Sequence, residues 1–545
     1  MSVTAIPPTI MSVASTPRSM KNSTAVGAVF NRDFSAWVAV KNRSHHSFMA
    51  TPLLQRGVAI FGNRLSRHFF FMGGMALLLA GCAVGPDYVP PKVETPAKWT
   101  EASLVNENSL HLNDWWKTFS DPVLNHLINE ALLSNLDLKI AQTRIREARA
   151  NYWGTIATGL PNINARNSLL RRGNNINVAN QSTGAGGGAA PGTSNQTYNI
   201  FQNGFDASWE LDFFGGVRRA VESADANLES EEENRRDMLV TLLGDVARTY
   251  IDLRSNQQML LVTRDNLQSQ EETLQLTKIR RQAGLTSELE VAQSEGLTAE
   301  TRSQAPVYEI AVKQAIHALS ILLGHPPGTL VKRLEPEAPL PVSTDPGLAG
   351  LPTELLHRRP DIRKAERKLS QSNADVGVAT AELYPKISLT AFLGLQNTNL
   401  TALTPVGKSW SAASTITMPI LNWGRIQANI RAKEALNEQA FLNYQSTVLK
   451  AYKEVEDALV AHAQESQRIA ALRQAVEAQQ LSLNLSTERW RKGLSAYLDV
   501  LTAERALLVT QRELVDSQTK QSQQLVALYK ALGGGWQALE GQNGG

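Results

Sequence analysis

Between Gly215 and Gly284 the chain contains no proline, and Leu239, Leu243, Val246, Tyr250, Leu253, Leu260, Leu267 and Leu274 return on three- and four-residue steps, with Gln257, Arg264 and Glu271 interrupting the row. A spacing that averages 3.5 predicts left-handed coiled-coil packing, and the polar interruptions suit a narrow contact or a wet wall better than a dry dimer core. The seam alone fits an ordinary helical bundle equally well. A second region repeats the pattern with Val448, Tyr452, Val455, Leu459, Ile469, Val476 and Leu483, broken by His462, Arg473 and Gln480. Some 65 helical residues would extend roughly 100 Å, about three times the thickness of a bilayer core. A helix that long needs a partner.

Gly284 and Gly493 stand where each long helix must end and reverse, because a positive φ costs glycine nothing. Thr286 or Ser287 in the first turn, and Ser495 in the second, are then placed to cap the returning helix. Upstream, a helical pattern runs from Asp121 to about Gly159 and is stopped by Pro161. The segments 162–172, 198–214, 385–396 and 409–423 partly alternate polar and apolar residues and carry aromatics, the weak signal that outer-membrane strands give. Gly215 and Gly424 mark the strand-to-helix junctions, and Arg218 and Arg425 beside them are expected near a membrane boundary.

The halves are copies. "RRQAGLTSELEVAQSE" (280–295) is answered by "RWRKGLSAYLDVLTAE" (489–504), and one displacement of 209 relates Gly215 to Gly424, Gly284 to Gly493 and Gly324 to Gly533. Earlier in each half, Asp137 and Pro161 match Asp361 and Pro385 at a displacement of 224, so the first half carries 15 additional residues. They fall near the Gly/Asn/Ser-rich stretch 171–197, which reads as a long exposed loop. The organisation expected is an extension (1–48) without a fold of its own, a first repeat (121–323), a Pro/Gly-rich linker (324–352) with short extended pieces, a second repeat (353–533) and a tail (534–545).

Cys82 is the only cysteine in 545 residues, which excludes an intramolecular disulfide, and no Cys/His cluster at zinc spacing accompanies it. Arg56, Arg64 and Arg67 precede the apolar run 69–81, which is too short to span a bilayer as a helix. Residues 49–81 therefore read as a signal peptide, and "LAGC" (79–82) as a bacterial lipobox that makes Cys82 a lipidated first residue, opening a segment 82–120. Several acyl chains, a diacylglycerol and an N-acyl group, would anchor stably where one would not. No later apolar run is long enough for a transmembrane helix, so any crossing must use strands.

Two strand pairs per chain leave open edges and cannot close a barrel, whereas twelve strands from a cyclic trimer can. The fold class expected is thus α+β: a trimeric twelve-stranded outer-membrane β-barrel, four strands per chain, continued by a long periplasmic helical coiled-coil barrel. The charge balance, 54 Lys and Arg against 51 Asp and Glu, gives no electrostatic footprint for nucleic acid. His45–His46 lies in the extension, and no motif places a nucleophile with a base, so neither an enzyme nor a metal or other cofactor is expected.

"GCAVGPDYVPP" (81–91), "LNDWWKTFSDPVLNHLINEAL" (112–132), "RRPDIRKAE" (358–366) and "YKALGGGW" (529–536), in this order, give the chain a close resemblance to the outer-membrane efflux lipoproteins of the OprM type (NodT-like), within the wider TolC family. The resemblance spans about residues 74–536. It implies a homotrimeric duct, lipid-anchored in the Gram-negative outer membrane and reaching into the periplasm. The duct would dock through a periplasmic adaptor on an inner-membrane RND-type pump that supplies the energy, and would conduct antibiotics, dyes or other small amphiphiles.

It also implies a periplasmic gate near the second hairpin, where Leu498 and Asp499 match gate-forming positions and three Asp499 carboxylates would form a cation-attracting ring. Two departures weaken closure by ion pairs: Thr502 stands where relatives often carry an acid, and the arginine that TolC itself carries near the position of Ser495 is absent. Glu290 is the counterpart in the first hairpin, although Ser287 with Glu290 has the spacing of a capping box, and Asp499 also suits the helix dipole. Other readings are an outlet for type I protein secretion and, in another class, a periplasmic coiled-coil scaffold lipoprotein.

Overall fold

The computed structural model describes residues 83–94, 96, 98–100, 112–175, 195–343, 354–404 and 407–537, all within one unit spanning 74–545. The extension, the signal peptide, Cys82, most of the Gly/Asn-rich loop, residues 344–353 and residues 538–545 lie outside them. Among the described residues the order is α1 (Pro122–Ser134), α2 (Leu136–Thr158), β1 (Asn162–Asn175), β2 (Asn195–Leu211), α3 (Gly216–Gln282) and α4 (Glu288–Leu322). There follow α5 (Val331–Leu334), α6 (Leu355–Arg358), α7 (Pro360–Ala381), β3 (Lys386–Asn397), β4 (Lys408–Thr417), α8 (Arg425–Arg491) and α9 (Tyr497–Ala531). Helices α3 and α8 have 67 residues each, about 100 Å at the α-helical rise.

Four elements differ from the sequence expectation, among them β2, expected over 198–214 and found at Asn195–Leu211. The helix expected over 121–159 is two helices, divided at Asn135, whose side chain accepts from the Leu138 N–H and donates to the Leu322 carbonyl at 2.8 Å each. Asparagine offers the backbone an alternative partner and so interrupts a helical pattern that has no other breaker. In the linker, Val331–Leu334 forms a helical turn where extended chain was expected. The last strand, expected to reach Trp423, stops at Thr417, just before Pro419, which has no N–H for a ladder.

The four strands form one antiparallel sheet in the order β1-β2-β3-β4. β1 pairs Asn162 with Ser208 of β2, and β3 pairs Lys386 with Thr417 of β4. These partners are displaced by 224 and 209, the same offsets that relate the two halves of the sequence, so the repeat holds down to strand register.

The main core joins the start of the described helices to the ends of the hairpins. Leu124, Leu127 and Ile128 of α1 are fully buried with Leu243, Val246 and Leu253 of α3 and Leu319 of α4, and Trp115 stacks on Tyr529 of α9 at 5.2 Å. Each such aliphatic side chain contributes about 1.5–3 kcal/mol relative to exposure. Polar anchors fix the ends. Asp121 caps α1, accepting from the Val123 N–H at 2.8 Å, and also takes the Tyr250 hydroxyl at 2.7 Å. Arg359 is buried, pairs with Asp361 and Glu454, and donates to the Ala531 carbonyl that ends α9.

The α3 seam holds through Leu260 and then moves. Below it the buried row is Thr263, Gln270, Thr273 and Thr277, while Leu267 and Leu274 are only half-buried. Two consecutive three-residue steps, Gln257 to Leu260 to Thr263, displace the row, as an interrupted heptad does. In α8 the upper seam is likewise buried through Leu459 and Ile469, with Val476 and Leu483 half-buried. Of the α3 interruptions Gln257 is buried, while Arg264 and Glu271 are exposed. Gln257 donates to the Leu334 carbonyl of the linker, Arg264 pairs with Glu309 and Glu337, and Glu271 pairs with Arg302.

Candidate functional site

Strand register assigns every sheet residue to a face. One face carries mainly Ile163, Ala165 and Leu169 of β1, Phe201, Phe205, Ala207 and Trp209 of β2, Ile387, Leu389, Leu393 and Leu395 of β3, and Trp410 and Ile416 of β4, with Asn167, Asn203 and Ser414 among them and Arg171 and Lys408 toward one end. The other carries mainly Asn164, Arg166 and Ser168, then Gln202, Asp206 and Glu210, then Lys386, Ser388 and Thr390, and finally Ser409, Ser411 and Thr415. On the apolar face Leu169, Phe205, Leu393 and Trp410 are 65%, 59%, 68% and 77% exposed. Water penalises such a largely apolar surface, whereas hydrocarbon does not. Among the described residues no helix is long and apolar enough to cross a membrane.

At the base of the sheet, Gly215 and Gly424 both cap their long helices in the left-handed region, at φ +80. Asp212 accepts from the Val217 and Arg218 N–H groups at 3.0 and 2.9 Å and pairs with the Arg218 guanidinium, so Arg218 helps to hold the junction. The chain just after Cys82 is stapled here. Arg219, 5% exposed, donates to the Val84 and Gly85 carbonyls and pairs with Asp87 at 2.6 Å. A Cβ on Gly85 would stand 2.5 Å from the Gly377 Cα, so only glycine permits this approach.

At the far end, Gly284 and Gly493 take φ +73 and +70, and the Leu285 and Leu494 N–H groups close each turn on the Arg280 and Arg489 carbonyls. Ser287 caps α4 through the Glu290 N–H at 3.4 Å. The reciprocal half of the capping box is absent, because the Glu290 carboxylate accepts from the Thr286 hydroxyl instead. Ser495 does not cap α9; Ala496, with no side-chain acceptor, occupies that position, and its carbonyl accepts from the Asp499 N–H at 3.2 Å.

A separate small core ties the two hairpins together at the tip: Leu297, Trp490, Tyr497, Val500 and Leu501. Arg280 lies over the Trp490 ring at 5.0 Å and donates to the Arg491 carbonyl. Along the first hairpin, Lys278–Glu295 and Arg302–Glu271 join α3 to α4, exposed pairs worth at most about 1 kcal/mol each.

The sequence-derived gate residues gather on the opposite side of α9. Leu498, Asp499 and Thr502 are all exposed, and the Thr502 hydroxyl donates to the Leu498 carbonyl at 2.8 Å. Asp499 lies in the first helical turn, where the dipole favours an anion. Glu290 belongs to the neighbouring hairpin and is engaged in its own turn.

Sequence reasoning missed Glu504. It lies on the buried face of α9, 4% exposed, with no hydrogen-bond partner for Oε2. Burial pushes its carboxyl from 4.5 up to about 7, and the Thr273 hydroxyl beside it offsets part of that rise. Tyr497, seven residues earlier on the same face, is pushed to about 12, chiefly by burial. The missed signal was spacing: Tyr497, Val500, Glu504 and Leu507 continue one apolar stripe of α9.

The description "Outer membrane efflux protein" names the family model that matches residues 127–325 and 351–534. The chain belongs to that family. Nodulation protein T of Rhizobium leguminosarum bv. trifolii is 32% identical over 466 residues, covering 85% of this chain and 96% of that protein. The solvent efflux pump outer membrane protein SrpC of Pseudomonas putida is 33% identical over 467 residues, covering 84% of this chain and 97% of that protein. The solved structure of the outer-membrane channel OprN matches with a TM-score of 0.77 at 32% identity, covering 84% of this chain and 100% of that one. The fold is that of the TolC-family trimeric outer-membrane channels, and the protein is one of the Gram-negative outer membrane. Its relatives are channel and efflux proteins rather than enzymes.

Proposed function

We propose that three copies of this chain close a twelve-stranded barrel, lipid-anchored through Cys82, whose helical stem descends through the periplasm and passively conducts small amphiphiles. An inner-membrane RND-type pump, joined through a periplasmic adaptor, supplies both cargo and energy. The carrying observation is the four-stranded sheet itself, apolar on one face, polar on the other and open at both edges, set at the end of helices about 100 Å long. Closure puts the apolar face in lipid and the polar face around water. The periplasmic-scaffold reading leaves that face unexplained.

The gate of this channel is the exposed side of α9 at Leu498, Asp499 and Thr502, where three carboxylates attract cations. Glu290 serves the turn of the first hairpin. Two points support amphiphile cargo over protein cargo: the OprM-type motifs, and a relative of 33% identity whose name states solvent efflux.

Deletion of the gene tests this reading against a panel of solvents, dyes, antibiotics and secreted proteins. Increased susceptibility to the small amphiphiles, restored by the intact gene, is the expected result. Unchanged susceptibility with loss of one secreted protein would replace it with a protein-secretion outlet.

A further inference from the structure

Charge on the sheet is divided by face and by height. On the polar face Arg166 pairs with Asp206 at 3.2 Å, and Lys386 stands 3.9 Å from Glu210. On the apolar face the register places two charged side chains, Arg171 of β1 and Lys408 of β4. Both are exposed and, among the described residues, neither has an ion-pair partner. Resting on the barrel proposed above, we infer that Arg171 and Lys408 form a binding surface for the phosphate groups of lipid headgroups in the outer leaflet of the membrane.

The two cations share one level. Arg171 is nine positions beyond Asn162, where β1 begins after α2, and Lys408 is nine positions before Thr417, where β4 ends toward α8. Nine residues with a rise of about 3.3 Å each, tilted by about 40°, climb about 23 Å. The apolar band of an outer-membrane barrel is about 25 Å tall. Both side chains therefore stand at the rim of that band farthest from the helices, which is the outer leaflet when the helical stem lies in the periplasm. A cation on the lipid face is costly at the bilayer midplane and nearly free at the interface. Trp410, 77% exposed and two positions nearer the midplane on the same face as Lys408, is the kind of residue that marks such an interface.

The sign of the charge is uniform here. Between Arg171 and Asp206, and between Lys386 and Lys408, the sequence holds no charged residue except Arg172. The apolar face carries no Asp or Glu on any of the four strands, so a neighbouring copy of the sheet brings none either. The positive charge is left to be met from the membrane, and at this height the available anions are headgroup phosphates. The Arg171 guanidinium offers a planar fork that matches two phosphate oxygens, and the Lys408 ammonium a compact point charge. Arg172, the next residue of β1, belongs to the polar face and takes no part.

The test titrates trimers of the full chain, purified in an uncharged detergent, with lipid A as the phosphorylated probe and follows binding by native mass spectrometry. Arg172→Gln should leave binding unchanged, whereas Arg171→Gln combined with Lys408→Gln should weaken it about tenfold or more, the loss expected for two headgroup charge contacts. Lipid A stripped of its phosphates should bind the intact protein as weakly as lipid A binds the double variant, and inorganic phosphate at the same concentration should not displace bound lipid. Undiminished binding by the double variant, equal binding of the dephosphorylated lipid, displacement by inorganic phosphate, or equal loss in Arg172→Gln would each overturn the lipid-phosphate surface and leave the channel reading standing. A chain that forms no trimers and conducts no ions in a planar bilayer would overturn both.

Discussion

Glu504→Gln tests whether the tip holds a titratable weak point. The carboxyl is enclosed by α9 and α3, has one oxygen unpaired, and titrates near 7 instead of 4.5. The nearby arginine, Arg505, is on the exposed side of α9 and reaches Glu300 of α4 at 3.9 Å. A raised carboxyl pKa means that the packed tip retains a proton which the opened tip gives up. Below about 4.5 both states are protonated and burial carries no ionic penalty. As pH rises toward 7 the opened state ionises first, and above 7 the full penalty applies. The displacement of about 2.5 pH units corresponds to about 3 kcal/mol, a factor of about 300 in the opening equilibrium when complete, of which about a hundredfold falls between pH 5 and pH 8. Glutamine keeps the shape and cannot ionise. Amide exchange of residues 497–508 in the assembled protein, corrected for intrinsic rates, should therefore accelerate about a hundredfold between pH 5 and pH 8, and should stay flat in Glu504→Gln. Equal pH dependence in the two proteins would show that this carboxyl does not govern tip packing.

Cys82→Ser should abolish acylation, read by mass analysis of the mature N-terminus, while trimers persist because the barrel itself holds the membrane; acyl chains still present would refute the lipobox assignment. Asp499→Ala should reduce the preference of the reconstituted channel for cations, and unchanged conductance and selectivity would remove this residue from the gate. Gly493→Ala should cost only about 1–2 kcal/mol of left-handed strain, since nothing lies within 4 Å of the added Cβ. Gly215→Ala meets the same strain and also places its Cβ 2.6 Å from the Ala83 Cα. It should therefore expose residues 83–94 to protease, where Gly493→Ala does not.

The chain's plan was legible because it rests on local physics. Left-handed glycines at 215, 284, 424 and 493 end or begin helices wherever they stand, and period-3.5 rows announce long helices. Two halves that obey the same local rules fold alike, which is why offsets read from sequence reappear in strand register. Sequence also marked Leu498, Asp499 and Thr502 as residues of one turn, but not that this turn faces outward. That depended on Tyr497, Val500 and Leu501 packing against Trp490 and Leu297 from other elements.

Burial by distant partners is the quantity that sequence spacing leaves open. It moved the α3 seam from Leu267 and Leu274 onto Thr263, Gln270, Thr273 and Thr277, divided one expected helix at Asn135, and enclosed Glu504. It also gave Arg219 its task, since Val84, Gly85 and Asp87 lie more than 130 positions away. Periodicity and the glycine offsets by themselves determined the long helices, the strand pairs and their repetition. Which face of each helix became interior, and which charged groups lost their water, was decided only when separate segments came together, because desolvation depends on every neighbour in space and not on the order of the chain.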